Sequence, residues 1–303
     1  MKRLYFAVMA SFVLASAPSA RADQVGFSDV KTRFNKGASD RPLVDKDADL
    51  VLDDSSRKLT VRTPERPLEI SYDAVQKVVF DESTHMRGGA MAALVGGIAG
   101  AAIASQRVKD YWCYLEYTAA DGTVRPYMLE VSSESSSKVI EKMRALFGDR
   151  VSVADFNEKE AAIAKETLKD LQSKHDLRVD KKNRPVPESK PDKALVVVVC
   201  PPLAARFSGK GVQYKLHAND RVVAVNKMGT YSFVYLDPGE YLLVSQTENA
   251  SGIRMNLDAG KEYYFLQDTF SGMWKSRTGL SRHTKELVMY ELAGAHRSDW
   301  TRK

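Results

Sequence analysis

Tyr111-Trp112-Cys113-Tyr114-Leu115-Glu116-Tyr117, the turn Asp121-Gly122 and the run Val124 to Val131 decide the fold of the first half. Aromatic side chains suit a pleated, half-buried surface, so the first run reads as a strand. Asp-Gly accepts the positive φ of a tight hairpin, so the second run returns beside the first. Beyond the hairpin the period changes. Val139, Ile140, Met143, Leu146 and Phe147 fall on one helical face, a serine cluster precedes them and Gly148 stops them. Before the hairpin come short runs at Asp47 to Leu52, Lys58 to Arg62, Leu68 to Tyr72 and Val75 to Phe80, separated by Asp53-Asp54-Ser55-Ser56, Pro64 and Pro67. The first half is therefore predicted as a bent sheet capped by a C-terminal helix.

The second half repeats the strand signal without the helix. Val196-Val197-Val198-Val199-Cys200 is continuously apolar, as a strand buried on both faces would be. Val212 to His217, Val222 to Val225, Tyr231 to Leu236, Tyr241 to Gln246, Ile253 to Leu257, Tyr263 to Gln267 and Leu287 to Leu292 follow, with Asp237-Pro238-Gly239 as a turn. Short strands at regular spacing predict an antiparallel β-sandwich. Between the halves, Glu158 to Lys174 reads as a charged helix with a thin apolar stripe, and Pro185, Pro187 and Pro191 mark an extended linker. The expected division is a mainly β chain with domains at 23–154 and 194–293, the helix and linker at 155–193, and a basic tail at 294–303. The linker predicts that the halves fold independently.

The N-terminus carries an export signal. Lys2 and Arg3 precede the apolar run Leu4 to Leu14, Pro18 breaks it, and Ala20-Arg21-Ala22 is a small-residue cleavage site. Residues 1–22 are thus expected to be a signal peptide, with the mature chain beginning at Asp23 in the periplasm or outside the cell. Removing Lys2, Arg3 and Arg21 from 45 basic residues leaves 42 against 39 acidic ones, so the net charge falls from +6 to +3. The apparent basicity is half an export feature, and a nucleic-acid partner is not expected. Cys113 and Cys200 both lie in apolar runs and read as buried thiols rather than a bridge.

One segment fits neither pattern. Gly88 to Ser105 has no charged residue, and small residues recur at Gly88, Ala92, Gly96, Gly100 and Ala104. On a helix this spacing makes a smooth face that another backbone can approach, as in membrane helix pairs. Three readings stay open: a membrane span, an insertion packed on its own domain, and a surface that docks on a membrane, a partner protein or a second copy. Spanning would separate strands proposed to share one sheet, and Gly and Ala drive insertion weakly.

Two resemblances cover most of the chain. Leu50-Val51-Leu52-Asp53, Ile70-Ser71-Tyr72-Asp73-Ala74-Val75, Tyr114-Leu115-Glu116-Tyr117 with Asp121-Gly122, and the closing helix resemble the bacterial pleckstrin-homology-like (PH-like) domains. That resemblance implies a helix capping the open end of a bent sheet, and members that bind lipids, peptides or proteins. Asp237-Pro238-Gly239-Glu240-Tyr241 and Ala259-Gly260-Lys261-Glu262-Tyr263-Tyr264-Phe265 resemble a domain of unknown function in exported bacterial proteins and lipoproteins. It implies no activity and transfers no site residues.

Residue patterns for chemistry are sparse. His85, His175, His217, His283 and His296 have no metal-binding spacing, and no nucleophile-elbow motif occurs. Ser135-Ser136-Ser137-Lys138 lies where a helix N-terminus needs capping. No catalytic, cofactor or metal residues are expected. The leading expectation is a non-catalytic envelope module that contacts a macromolecule or membrane surface. The alternatives are an exported hydrolase with a site assembled from distant residues, and a structural subunit of an envelope assembly.

Overall fold

The computed structural model describes residues 24–32, 46–86, 107–154, 160–161, 175–201, 211–247, 249–271 and 276–302. The first half supplies β1 (Gln24–Thr32), β2 (Lys46–Asp53), β3 (Lys58–Arg62), β4 (Leu68–Ser71), β5 (Val75–Met86), β6 (Arg107–Thr118), β7 (Val124–Val131) and β8 (Val151–Val153). They form one sheet in the order β4-β3-β2-β1-β7-β6-β5-β8. β1 holds it together, pairing with β2 along its length and with β7 through Val30–Thr32. The sheet folds over itself, so Leu50, Leu59 and Ile70 from one arm share a core with Phe80, Leu115 and Leu129 from the other.

Helix α1 (Ser133–Phe147) closes this core. It starts where the Ser132 side chain and the Asp110 carboxylate take the first free N–H groups, and it ends at Gly148, whose φ of 57° suits glycine. Val139, Met143 and Phe147, one face at four-residue spacing, are buried in the sheet. Each contributes about 1.5–3 kcal/mol by leaving water.

The second half contributes β9 (Glu160–Ala161), β10 (His175–Asp180), β11 (Ala194–Cys200), β12 (Tyr214–Ala218), β13 (Arg221–Asn226), β14 (Thr230–Leu236), β15 (Gly239–Gln246), β16 (Ala250–Leu257), β17 (Glu262–Ser271), β18 (Ser276–His283), helix α2 (Lys285–Gly294) and β19 (His296–Arg302). A six-stranded sheet, β10-β19-β14-β11-β17-β18, faces a five-stranded one, β13-β12-β15-β16-β9. Most pairs are antiparallel, while β11 runs parallel to β17 and β14 to β19. Gly260 turns the chain into β17 at φ +72°, its N–H donates to Lys193 O, and a Cβ there would sit 3.6 Å from the Pro191 carbonyl oxygen.

The expected β-sandwich is present, and β11 is buried along all seven residues. Ala194, Val196 and Val198 face the other sheet of the sandwich. Leu195, Val197 and Val199 face the opposite way, toward α2 and the first half. There Val79, Trp112, Tyr114 and Met128, from the outer face of β5–β7, join Leu287, Val288, Tyr290 and Leu292 of α2 in one cluster. The two halves therefore share an apolar cluster.

Three expectations are corrected. Leu287 to Leu292, predicted as a strand, is helical. Its residues are buried on nearly every side, and a short run that is apolar except for Glu291 carries no period to separate helix from strand. The stretch 294–303, predicted as a basic tail, contains β19, whose His296–Arg302 pair with β10 and β14. Within 155–193, His175–Asp180 is a strand, and Glu160–Ala161 pairs with β16. The remainder of the predicted charged helix lies outside the described residues. The proline segment behaves as extended chain pinned to the sheet: Tyr231 and Tyr235 donate their hydroxyls to Pro185 O and Glu188 O, at 3.0 and 2.8 Å.

Candidate functional site

The first sheet has an open seam. Among the described residues β4 is its terminal strand and pairs with β3 alone, while β5 leaves through the turn Tyr72–Ala74 toward the other arm. Between β4 and the far end of the β6–β7 hairpin lies a recess of about 490 Å³, lined by Arg66–Ser71, Ala74, Tyr117–Ala120, Arg125 and Tyr127. Strand register builds one wall. Tyr117 faces Arg125 across β6 and β7, and Leu115 faces Tyr127, which makes the two tyrosines diagonal neighbours on one face. The opposite wall begins at Arg66, where Thr63 Oγ1 donates to Arg66 O at 2.7 Å and accepts its N–H at 3.3 Å.

Most charges at the recess are already matched. Glu69 binds Lys58 at 2.8 Å, and Arg125 pairs with Asp121 and donates to Thr123 Oγ1 at 3.0 Å. The Arg66 guanidinium makes no ion pair or hydrogen bond among the described residues. Tyr117 and Tyr127 are 5% and 1% exposed, and neither hydroxyl is hydrogen-bonded among those residues. Burial, with Tyr117 beside it, pushes the Tyr127 phenol up to about 12, against the pull of Arg66. Tyr117 is raised for the same first cause, with Arg125 and Arg66 opposing. Both phenols thus stay protonated donors at neutral pH.

A polar chain lies in the wall between the halves. Asp81 on β5 places Oδ1 3.3 Å from His283 Nδ1, and its Oδ2 accepts the Thr284 N–H at 2.8 Å, where α2 starts. His283 stacks on Trp112 with ring centroids 5.4 Å apart. Its Nε2 lies 2.8 Å from Ser281 Oγ, and Ser281 donates to Asp268 Oδ2 at 3.1 Å. With the serine proton on Asp268, Nε2 must donate to Ser281 while Nδ1 faces Asp81. Burial pulls the His283 pKa down, but Asp81, Asp268 and Glu291 outweigh it, and the imidazole is held above its ordinary value.

Asp81, His283 and Ser281 have the connectivity of a nucleophilic triad, assembled from distant residues. The protonation argues against that use. A base must accept the serine proton, whereas the acidic neighbours of this imidazole favour its protonated form and the hydroxyl donates to Asp268. The arrangement fits a polar latch that fixes the start of α2 against the first sheet. Lys77 and Glu286, 2.6 Å apart, flank it.

The remaining candidate chemistry is dispersed. Cys113 and Cys200 are free and buried, and burial raises both thiols, Cys113 to about 12. His217 bonds Gln246 at 2.9 Å, His175 packs on Trp300, and His296 meets Arg184 at 2.7 Å. Among the described residues no group of three or more His, Cys, Asp or Glu is placed to hold a metal ion. Inside the sandwich, Ser232, Asn226, Gln267, Ser245 and Thr278 form a buried hydrogen-bonded chain with links of 2.6–3.0 Å. A second recess, near Asp29, Asp47, Asp110, Glu130 and Glu134, is acidic, and Asp110 there is occupied in starting α1.

The sequence-predicted interaction face, Gly88, Ala92, Gly96, Gly100 and Ala104, lies outside the described residues. No helix among those described is long and apolar enough to cross a membrane. The seam residues Arg66, Tyr117 and Tyr127 were not singled out from sequence; the only signal was the Pro64–Pro67 break beside a strand. No family model matches the chain, and no curated protein matches it.

Proposed function

We propose that this protein is an exported, non-catalytic binding module that contacts another macromolecule through the open seam of its PH-like N-terminal half. The observation that carries the reading is the recess beside β4, where two tyrosine hydroxyls and the Arg66 guanidinium reach the opening with no hydrogen-bond or ion-pair partner among the described residues. A sheet ordered β4-β3-β2-β1-β7-β6-β5 and closed by α1 supports the PH-like assignment. The second half supports the first by covering the outer face of β5–β7, while the seam stays open on the first sheet.

The test is photo-crosslinking in cells. A photoreactive side chain at Glu69, exposed at the seam, should capture a discrete partner in the envelope fraction, while one at the exposed Val186 of the proline segment should not. Equal labelling from both positions, or none from Glu69, would remove the seam from the function.

The hydrolase reading has one specific observation behind it, the Asp81–His283–Ser281 connectivity. A fluorophosphonate probe decides it. We expect Ser281 to stay unlabelled, and a covalent adduct on Ser281 would make the latch an active site.

A further inference from the structure

We propose that the seam recess receives an extended peptide segment of a partner protein as an added strand on β4, with an acidic side chain of that segment on Arg66. The proposal deepens the reading of the N-terminal half as a binding module and rests on it.

The backbone is the first argument. A strand paired on one side alone presents alternate N–H and C=O groups along its free edge, and an added strand can take them. Among the described residues β4 has one partner, β3, and its other edge borders the recess from Leu68 to Ser71. Four residues paired there would span about 13 Å at 3.3 Å per residue.

The side chains then restrict what the strand carries. Ile70 points into the core, and Leu68 is half-buried, so the floor is apolar. The Tyr117 and Tyr127 hydroxyls can each donate to a carbonyl or carboxylate oxygen entering from the seam. Glu69 and Arg125 are neutralised by Lys58 and Asp121, which leaves the Arg66 guanidinium as the charge to be matched. A carboxylate matches it with two parallel hydrogen bonds. An anionic membrane surface would instead call for a cluster of cations with no backbone edge between them. A single arginine, without an ion pair among the described residues and just ahead of an edge strand, favours the peptide.

The test uses the full mature chain and two labelled octapeptides with blocked termini, one alternating valine with glutamate and one alternating valine with glutamine. Saturable binding of the glutamate peptide, at least tenfold tighter than the glutamine peptide, is expected. Arg66→Ala should abolish that preference, and Tyr127→Phe should weaken binding while the melting temperature stays close to wild type. Amide shifts on titration should concentrate at Arg66–Ser71 and Tyr117–Tyr127. Equal binding of the two peptides, an unchanged preference in Arg66→Ala, or shifts confined to other regions would overturn the proposal. Arg66-dependent binding to phosphatidylglycerol vesicles without peptide binding would also overturn it, in favour of a membrane surface. If Glu69 crosslinks an envelope partner but neither peptide binds, the strand mode alone fails. If crosslinking fails as well, the binding-module reading fails with it.

Discussion

Replacing Met128 by alanine tests whether the two halves are one cooperative structure. Met128 belongs to β7 of the first sheet and is fully buried, yet it belongs to the same apolar cluster as Leu195, Tyr264 and Leu287 of the second half. Deleting a buried side chain of this size costs about 2–5 kcal/mol, from lost burial and the cavity left behind. If the shared cluster couples the halves, that loss belongs to both. Native-state hydrogen exchange reads it directly, because the slowest amides exchange through global opening. Amides of β3, far from the substitution, and of β11, across the interface, should accelerate together. At 1.36 kcal/mol per decade the expected factor is about 30 to 5,000 in each. Denaturant unfolding should remain a single transition at a lower midpoint. Acceleration in β3 with β11 unchanged, or a transition that splits in two, would show that the halves are separately stable and merely touch.

Three further outcomes follow from the same contacts. His283 is raised by its acidic neighbours, so the folded state binds the proton more tightly than the unfolded chain; the latch contributes fully below about pH 6.5 and is lost as pH rises through the raised folded value. Denaturation midpoints across pH 5–9 should show this loss in the wild type and not in His283→Asn, and a wild-type stability that climbs relative to the variant would refute the sign. Gln267→Leu should destabilise the sandwich by about 1–3 kcal/mol, because Asn226 Nδ2 loses its acceptor while Ser245 Oγ keeps Thr278, and an unchanged midpoint would mean that water replaces the amide. N-terminal sequencing of the exported form should begin at Asp23, and a mature pool that retains Met1 would reject cleavage.

Much of the fold was local enough to read. The β6–β7 hairpin and α1 carry their own period, turn and caps, and both stand where the residues placed them. The apolar run Val196 to Cys200 implied burial on both faces, and β11 lies between two clusters. The same signal in Trp112-Cys113-Tyr114-Leu115 went unused, although it pointed to a second layer over the first sheet. α2 was misread because burial on all sides erases periodicity. β19 was misread because its strand character depends on β10, which pairs Arg302 with His175 from the far end of the second half. The latch and the recess were illegible for a related reason. Asp81 and His283, or Arg66, Tyr117 and Tyr127, meet only through strand register and inter-half packing, and no spacing along the chain encodes those contacts.

The functional account stands on the free edge of β4, so the most direct measurement is amide exchange at Arg66–Ser71, compared between the purified protein and the same protein within an envelope extract. The account predicts slower exchange on β4 in the extract, with α1 unchanged and the slowing lost in Arg66→Ala. Equal exchange on β4 in the two samples, or protection that appears only elsewhere, would contradict it.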